Sequence, residues 1–136
     1  MSVRVVTLLA LGGAATLASC STAPVQEARS PKAAQELAHE LAGRTPGPPV
    51  RCLPHYRANE MQIIDDNTIL FKDGRTIFVQ NPPGGCPGMG FGNYTLVTRP
   101  FGGELCEGDI NRLVDLRTGM GGGSCVFAEF IPYKKS

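Results

Sequence analysis

Five cysteines, Cys20, Cys52, Cys86, Cys106 and Cys125, constrain this 136-residue chain more than any other feature. In an exported protein thiols pair, so an odd count leaves one sulfur with a separate task. Cross-links are also what a short chain needs. A small globule buries a limited fraction of its surface, and this one has no Trp and only 7% aromatic residues to build a core. No two cysteines form a Cys-x-x-Cys, the tight local arrangement that a zinc knuckle or a thioredoxin-like redox site requires. Cys52, Cys86, Cys106 and Cys125 allow three disulfide connectivities. The expected one joins Cys52 to Cys125, tying the first strand to the last, and Cys86 to Cys106, tying a loop to a neighbouring strand.

The remaining cysteine sits at the end of a targeting segment. Arg4 supplies a positive start, and an apolar run over 5–17 follows that is too short to span about 30 Å of hydrocarbon comfortably. Leu17-Ala18-Ser19-Cys20 resembles the lipobox of bacterial lipoproteins, an aliphatic residue and two small ones before a cysteine. That resemblance implies diacylglycerol on the Cys20 thiol and cleavage just before it, so that residues 1–19 are the signal peptide. Ser21, where an Asp would favour retention in the inner membrane, points to the periplasmic face of the outer membrane. Thirteen basic and twelve acidic residues become equal once Arg4 is removed. A neutral chain has no electrostatic hold on anionic lipid and no footprint for nucleic acid, so the expected membrane partner is reached through acyl chains alone.

Residues 20–49 read as a lipidated tether. Within it, Ser30 as N-cap, Pro31 at the first helical position and Gly43 just past the end predict a short helix over about 31–42. Ala34, Leu37, Ala38 and Leu41 give it a weak apolar stripe, suited to a spacer packed loosely on the domain rather than to a docking element. His39 lies beside Glu36 and Glu40 and is expected to be solvated. The segment Thr45-Pro46-Gly47-Pro48-Pro49 is expected to act as a semi-rigid boundary.

Residues 50–136 read as the globular domain. Gly 17 and Pro 11 favour turns over long helices. The clearest element is a hairpin, 68–72 and 75–80 around Asp73-Gly74, with further strands expected at 50–53, 61–64, 94–99, 110–116 and 124–131. The predicted fold is all-β: a small antiparallel barrel or sandwich of about six short strands, stapled by two disulfides.

No residue set makes a case for catalysis. The glycine-rich run 84–92 lacks the Lys-Ser/Thr of a phosphate-binding loop and reads as a pliant loop pinned by Cys86. Phe91, Tyr94 and Phe101 could form a ligand platform but are expected in the core. Carboxylates cluster at Asp65-Asp66 and at Glu104, Glu107 and Asp109, but neither stretch follows a calcium-binding loop, and Asp65, Asp66 and Asp109 suit turn capping better than an acid pair. His55 and Ser124 could enter a triad, yet no nucleophile-elbow pattern surrounds Ser124. The sequon Asn93-Tyr94-Thr95 is expected to be fortuitous in a chain with a bacterial lipobox.

Taken with their spacing, Cys52, the run from Ile64 to Phe71, Cys86-Pro87-Gly88, the run from Leu105 to Ile110, Cys125 and the run from Glu129 to Tyr133 resemble a family of small secreted or lipid-anchored proteobacterial proteins, mainly alphaproteobacterial, of unknown function. The resemblance covers about residues 50–134 and implies an exported β-rich module with four paired cysteines. The expected function is that of a non-enzymatic cell-envelope lipoprotein, a structural or binding module presented at the membrane surface without cofactor or metal, with an envelope protein as the expected partner. Alternatives are an inhibitor of an envelope or host hydrolase, and a small periplasmic hydrolase using His55 or the acid cluster.

Overall fold

A computed structural model describes residues 28–54, 60–100 and 102–136. Among these residues one α-helix, α1 (Pro31–Leu41), is followed by ten strands: β1 (Arg44–Pro46), β2 (Cys52–Pro54), β3 (Met61–Asp65), β4 (Thr68–Asp73), β5 (Thr76–Gln80), β6 (Tyr94–Thr98), β7 (Glu104–Cys106), β8 (Ile110–Asp115), β9 (Gly121–Val126) and β10 (Phe130–Lys135). All pairings are antiparallel. They form a five-stranded sheet of order β1-β10-β5-β4-β3, a two-stranded sheet β2-β7, and a three-stranded sheet β6-β8-β9. The fold is an all-β sandwich rather than a closed barrel, with more strands than the sequence suggested.

The central strands of the large sheet are apolar on both faces. Along β4, Ile69 and Phe71 point into the main core while Leu70 points the other way, and in β5 Phe78 and its neighbours Ile77 and Val79 divide likewise. This is why 68–72 and 76–79 read as nearly unbroken hydrophobic runs: a strand covered on both sides has no polar face. The main core lies between the large sheet and the two small ones. Phe71, Phe127 and Phe130 meet there edge to face, with centroids 5.6–5.8 Å apart, joined by Leu53, Met89, Leu105 and Leu113. Helix α1 covers the opposite face, placing Ala33, Leu37 and Leu41 on Ile64, Leu70, Ile77 and Val79.

The helix cap follows the sequence: the Ser30 hydroxyl accepts from the Ala33 N–H at 3.2 Å, and Gly43 takes a φ of 68°. The packed stripe differs. Ala33 is buried and Ala34 and Ala38 are exposed, because the docked face runs through Ala33, Leu37 and Leu41. Acidic residues flank it, with Glu36 accepting from Gln62 Nε2 at 2.7 Å and Glu40 pairing with Lys72 at 2.8 Å. The proline-rich segment is not a boundary. Arg44, Thr45 and Pro46 pair with Lys135, Lys134 and Tyr133, and the Gly47 N–H donates to the Pro132 carbonyl at 2.7 Å. Pro46 is tolerated because β1 is an edge strand.

The hairpin at 68–80 forms with its turn one residue later than the sequence suggested, at Gly74-Arg75, where Gly74 has a φ of 57°. One reading fails at the C-terminal end. The stretch 124–131 is not one strand but the end of β9, which begins at Gly121, and the start of β10.

The disulfides are Cys52–Cys106 and Cys86–Cys125, so the expected Cys52–Cys125 and Cys86–Cys106 links are corrected. Cys52 and Cys106 are register partners in the β2-β7 pair, with Cα atoms 4.0 Å apart. Cys125 faces the main core from β9 and meets Cys86 of the glycine-rich loop at a Cα separation of 5.1 Å. The expected tie between first and last strands exists, but backbone pairing of β1 with β10 and the Val50–Phe130 bridge supply it.

Candidate interaction face

The glycine-rich loop is held by one side chain. Asp66, in the β3-β4 turn, accepts from the Gly88 N–H at 2.9 Å and the Gly90 N–H at 2.6 Å, while its carbonyl accepts from the Cys86 N–H at 2.6 Å. A Cβ on Gly85 would lie 2.7 Å from Asn67 Oδ1, and Gly85 has a φ of 71°, so glycine is required there for both reasons. The loop delivers Cys86 and Met89 to the core, both fully buried. Phe91, expected in the core, is instead 80% exposed, since the short 3-10 turn Met89–Phe91 has already turned Met89 inward. Tyr94 packs against the core edge. Phe101, His55 and Cys20 lie outside the described residues.

The other carboxylates serve local structure. Asp65 accepts from the Asn67 N–H at 2.9 Å and pairs with Arg29 at 2.6 Å. Asp109 accepts from the Cys106 N–H at 2.7 Å, and Glu107 pairs with Arg51 at 2.9 Å. Asp115 accepts from the Arg117 and Thr118 N–H groups, both at 2.8 Å, and the Thr118 N–H above all holds its carboxyl below the ordinary range. Among the described residues the one group of three potential metal ligands is Cys52, Glu104 and Cys106. Both sulfurs are in a disulfide and offer no thiolate. The buried polar side chains are likewise matched. Gln80 donates to the Ala128 carbonyl and accepts from its N–H, both at 2.8 Å, and Asn111 accepts from Thr98 Oγ1 and donates to the Asp109 carbonyl.

Unmatched chemistry gathers on the outer face of the three-stranded sheet. In β8, Asn111 and Leu113 are fully buried, so Ile110, Arg112 and Val114 face outward. The register sets them in cross-strand rows: Val97, Arg112 and Ser124; Ile110 and Val126; Thr95, Val114 and Gly121. Ile110 is 65% exposed, Val97 42% and Val126 40%. Between these rows lies an open depression of ≈ 480 Å³ lined by Val97, Arg99, Ile110, Arg112, Val114 and Ser124. A second, of ≈ 530 Å³, shares Arg112, Val114 and Ser124 with it and runs along Gly119, Gly121 and Gly123. Arg99 and Arg112 are exposed, their side chains make no ion pair or hydrogen bond among the described residues, and none of these lining residues is acidic.

Of the candidate catalytic residues singled out in the sequence, Ser124 lies on this face as the cross-strand neighbour of Arg112, and Thr95 of the sequon lies on it too. Arg99, Arg112 and the apolar residues around them carried no motif. The segment Ile110-Asn111-Arg112-Leu113-Val114 mixes polar and apolar residues in both alternating phases, so its outward side is set by the partner strands. Comparison of the chain with family models, curated proteins and solved structures finds no match.

Proposed function

We propose that the protein is a lipid-anchored module of the bacterial cell envelope that acts by binding another envelope component. The observation that carries this reading is the division of the cysteines. The two disulfides use four of five and leave Cys20, the residue that completes Leu17-Ala18-Ser19-Cys20. Disulfides belong to an exported chain, and acylation gives the fifth sulfur its task. With the charges balanced once residues 1–19 are removed, acyl chains are the only attachment the composition provides. Ser21, where an Asp would favour the inner membrane, supports an anchor at the periplasmic face of the outer membrane, and the resemblance to small proteobacterial exported proteins belongs to the same proposal.

Layer order supports a binding role. The chain enters the fold at α1, on one face of the large sheet, whereas the outer face of β6-β8-β9 is the far side of the molecule, beyond the main core. A chain anchored through its N-terminus presents that face away from the bilayer. Fractionation of cells expressing the wild type and Cys20→Ala tests the anchor: the wild type is expected in the membrane pellet and Cys20→Ala in the soluble periplasmic fraction. An unchanged membrane fraction for Cys20→Ala refutes the reading.

A further inference from the structure

We infer that Phe91, Leu116 and Met120, at one end of the three-stranded sheet, form a second membrane contact that dips into the headgroup boundary of the bilayer holding the acyl chains of Cys20. The inference rests on the lipid anchor proposed above and adds to it a contact made by the fold itself.

Three observations carry it. The first is the gathering of exposed apolar side chains. β6 begins, β8 ends and β9 begins at the same end of their antiparallel sheet, where Tyr94 stands opposite Asp115 and Val114 opposite Gly121. Phe91 lies just before Tyr94, Leu116 just after Asp115 and Met120 just before Gly121, and all three are between 64% and 80% exposed. Backbone bonds tie their loops together. The Leu116 N–H donates to the Asn93 carbonyl at 2.9 Å, and the Asp115 N–H to the Met120 carbonyl at 2.8 Å. Large apolar side chains scattered singly over a surface are ordinary, but three on adjoining loop tips mark a surface meant for an apolar partner.

The second is charge. The carboxylates beside the tip are turned onto backbone N–H groups of its own loops: Asp66 onto Gly88 and Gly90, Asp115 onto Arg117 and Thr118. Arg117 is the one cation of the loop 116–120, and an arginine among apolar neighbours lays its stem along them while its head stays at the level of lipid phosphates. The contact is therefore apolar. It is the arrangement of side chains that provides it, since the balanced charge offers no electrostatic hold.

The third is where the chain enters the fold. Arg29 pairs with Asp65 at 2.6 Å and donates to the Thr68 hydroxyl, which fixes the entry point at the β3-β4 turn. That same turn holds the loop bearing Phe91. Asp66 takes the Gly90 N–H, and a Cβ on Gly90 would lie 3.4 Å from the Asp65 Cα. Entry point and apolar tip thus share one end of the molecule. The eight residues 20–27 reach at most about 29 Å, so a bilayer that holds Cys20 is within that distance of Ala28. Lipid is the apolar partner that the anchor itself brings to this end. The tip is an end of the sheet and not its outer face, so the contact leaves that face clear of lipid.

The chain has no Trp, so one introduced at the tip is a unique fluorophore. The test uses the full-length protein, isolated from cell membranes and reconstituted in phosphatidylethanolamine–phosphatidylglycerol vesicles with or without brominated acyl chains. Emission from Phe91→Trp and from Met120→Trp is expected to shift to the blue on reconstitution and to be quenched by the brominated lipid. Ile110→Trp, an equally exposed position at the opposite end of the same sheet, is expected to show neither change. In the Cys20→Ala background, Phe91→Ser/Leu116→Ser/Met120→Ser is expected to weaken flotation with added vesicles about tenfold or more, with an unchanged melting temperature. Raising the salt is expected to alter flotation by no more than about twofold. Phe91→Trp emission that the vesicles leave unchanged overturns the inference, and so does equal quenching of Ile110→Trp, which would put the outer face on the lipid. A blue shift of Phe91→Trp that grows with protein concentration in the absence of lipid gives the tip to a second copy of the chain and overturns it as well. The anchor is scored separately: an acylated protein with an unquenched tip upholds the lipoprotein and refutes the tip, whereas quenching at the tip of an unacylated chain upholds the tip without the anchor.

Discussion

The carboxylate of Asp66 holds the Gly88 N–H at 2.9 Å, across a sequence separation of 22 residues, and takes the Gly90 N–H with its other oxygen. Through these bonds a turn between two strands of the large sheet fixes the loop that carries Cys86 and Met89 into the core. Asp66→Ala removes both acceptors and is expected to cost about 2–3 kcal/mol, since hydrogen bonds to a charged group contribute roughly 1.5–3 kcal/mol and this one is partly solvated. Asp66→Asn, which keeps one acceptor oxygen, is expected to lose less. Urea titration of the three proteins checks the order.

The two disulfides close loops of similar size, with sequence separations of 54 and 39, and on chain entropy each contributes about 4 kcal/mol. They differ in access. Cys86 and Cys125 are buried in the core, whereas Cys52 is exposed. Graded reduction followed by alkylation and mass mapping is therefore expected to modify Cys52 and Cys106 first, with Cys86 and Cys125 protected until the domain unfolds. Non-reducing digestion is expected to recover Cys52 linked to Cys106.

Tyr94 occupies the space that a side chain on Gly122 would need, and its ring also borders Gly88. Gly122→Ala is expected to destabilise the domain by about 1–3 kcal/mol, the usual range for overpacking. Most of that cost is expected to vanish in a Tyr94→Ala background, which thermal denaturation in a double-mutant cycle measures.

Glu40 fastens the helix to β4 through Lys72, whose hydrogen bond and charge hold the Glu40 carboxyl below its ordinary value of 4.5. With the folded value depressed, the unfolded chain takes up the proton first on acidification. The pair's contribution is then complete above the unfolded value and disappears as pH falls through the folded one. The pair is partly exposed, so its size is about 0.2–1 kcal/mol. Lys72→Met is expected to be less stable than the wild type at pH 7, with the difference closing below about pH 4 in parallel denaturant titrations.

What the sequence made legible was whatever a local pattern dictates. The Ser30 cap, the Asp73-Gly74 turn and the two-sided apolar strands around Phe71 and Phe78 are written in adjacent residues, and each forms close to where those residues put it. Pairings set by distant contacts were not legible. Cys52 finds Cys106 only because β2 and β7 lie side by side, and β7 is three residues long with a single buried apolar side chain, Leu105. Leu37 and Leu41 lie on the docked helix face as the sequence suggested, but Ala33 takes the place of Ala34 and Ala38, because the alanines are equivalent until a sheet face is present to choose between them. Arg99 and Arg112 could not be marked as unpaired before the positions of all the acids were fixed.

The central claim is that the fifth cysteine carries lipid, and mass spectrometry of the N-terminal peptide of the protein isolated from cell membranes tests it most directly. The account predicts a peptide that begins at Cys20 and carries the mass of a diacylglycerol thioether with a further N-linked acyl chain. A mature chain that begins elsewhere, or one whose Cys20 thiol is free to react with an alkylating reagent, would contradict it.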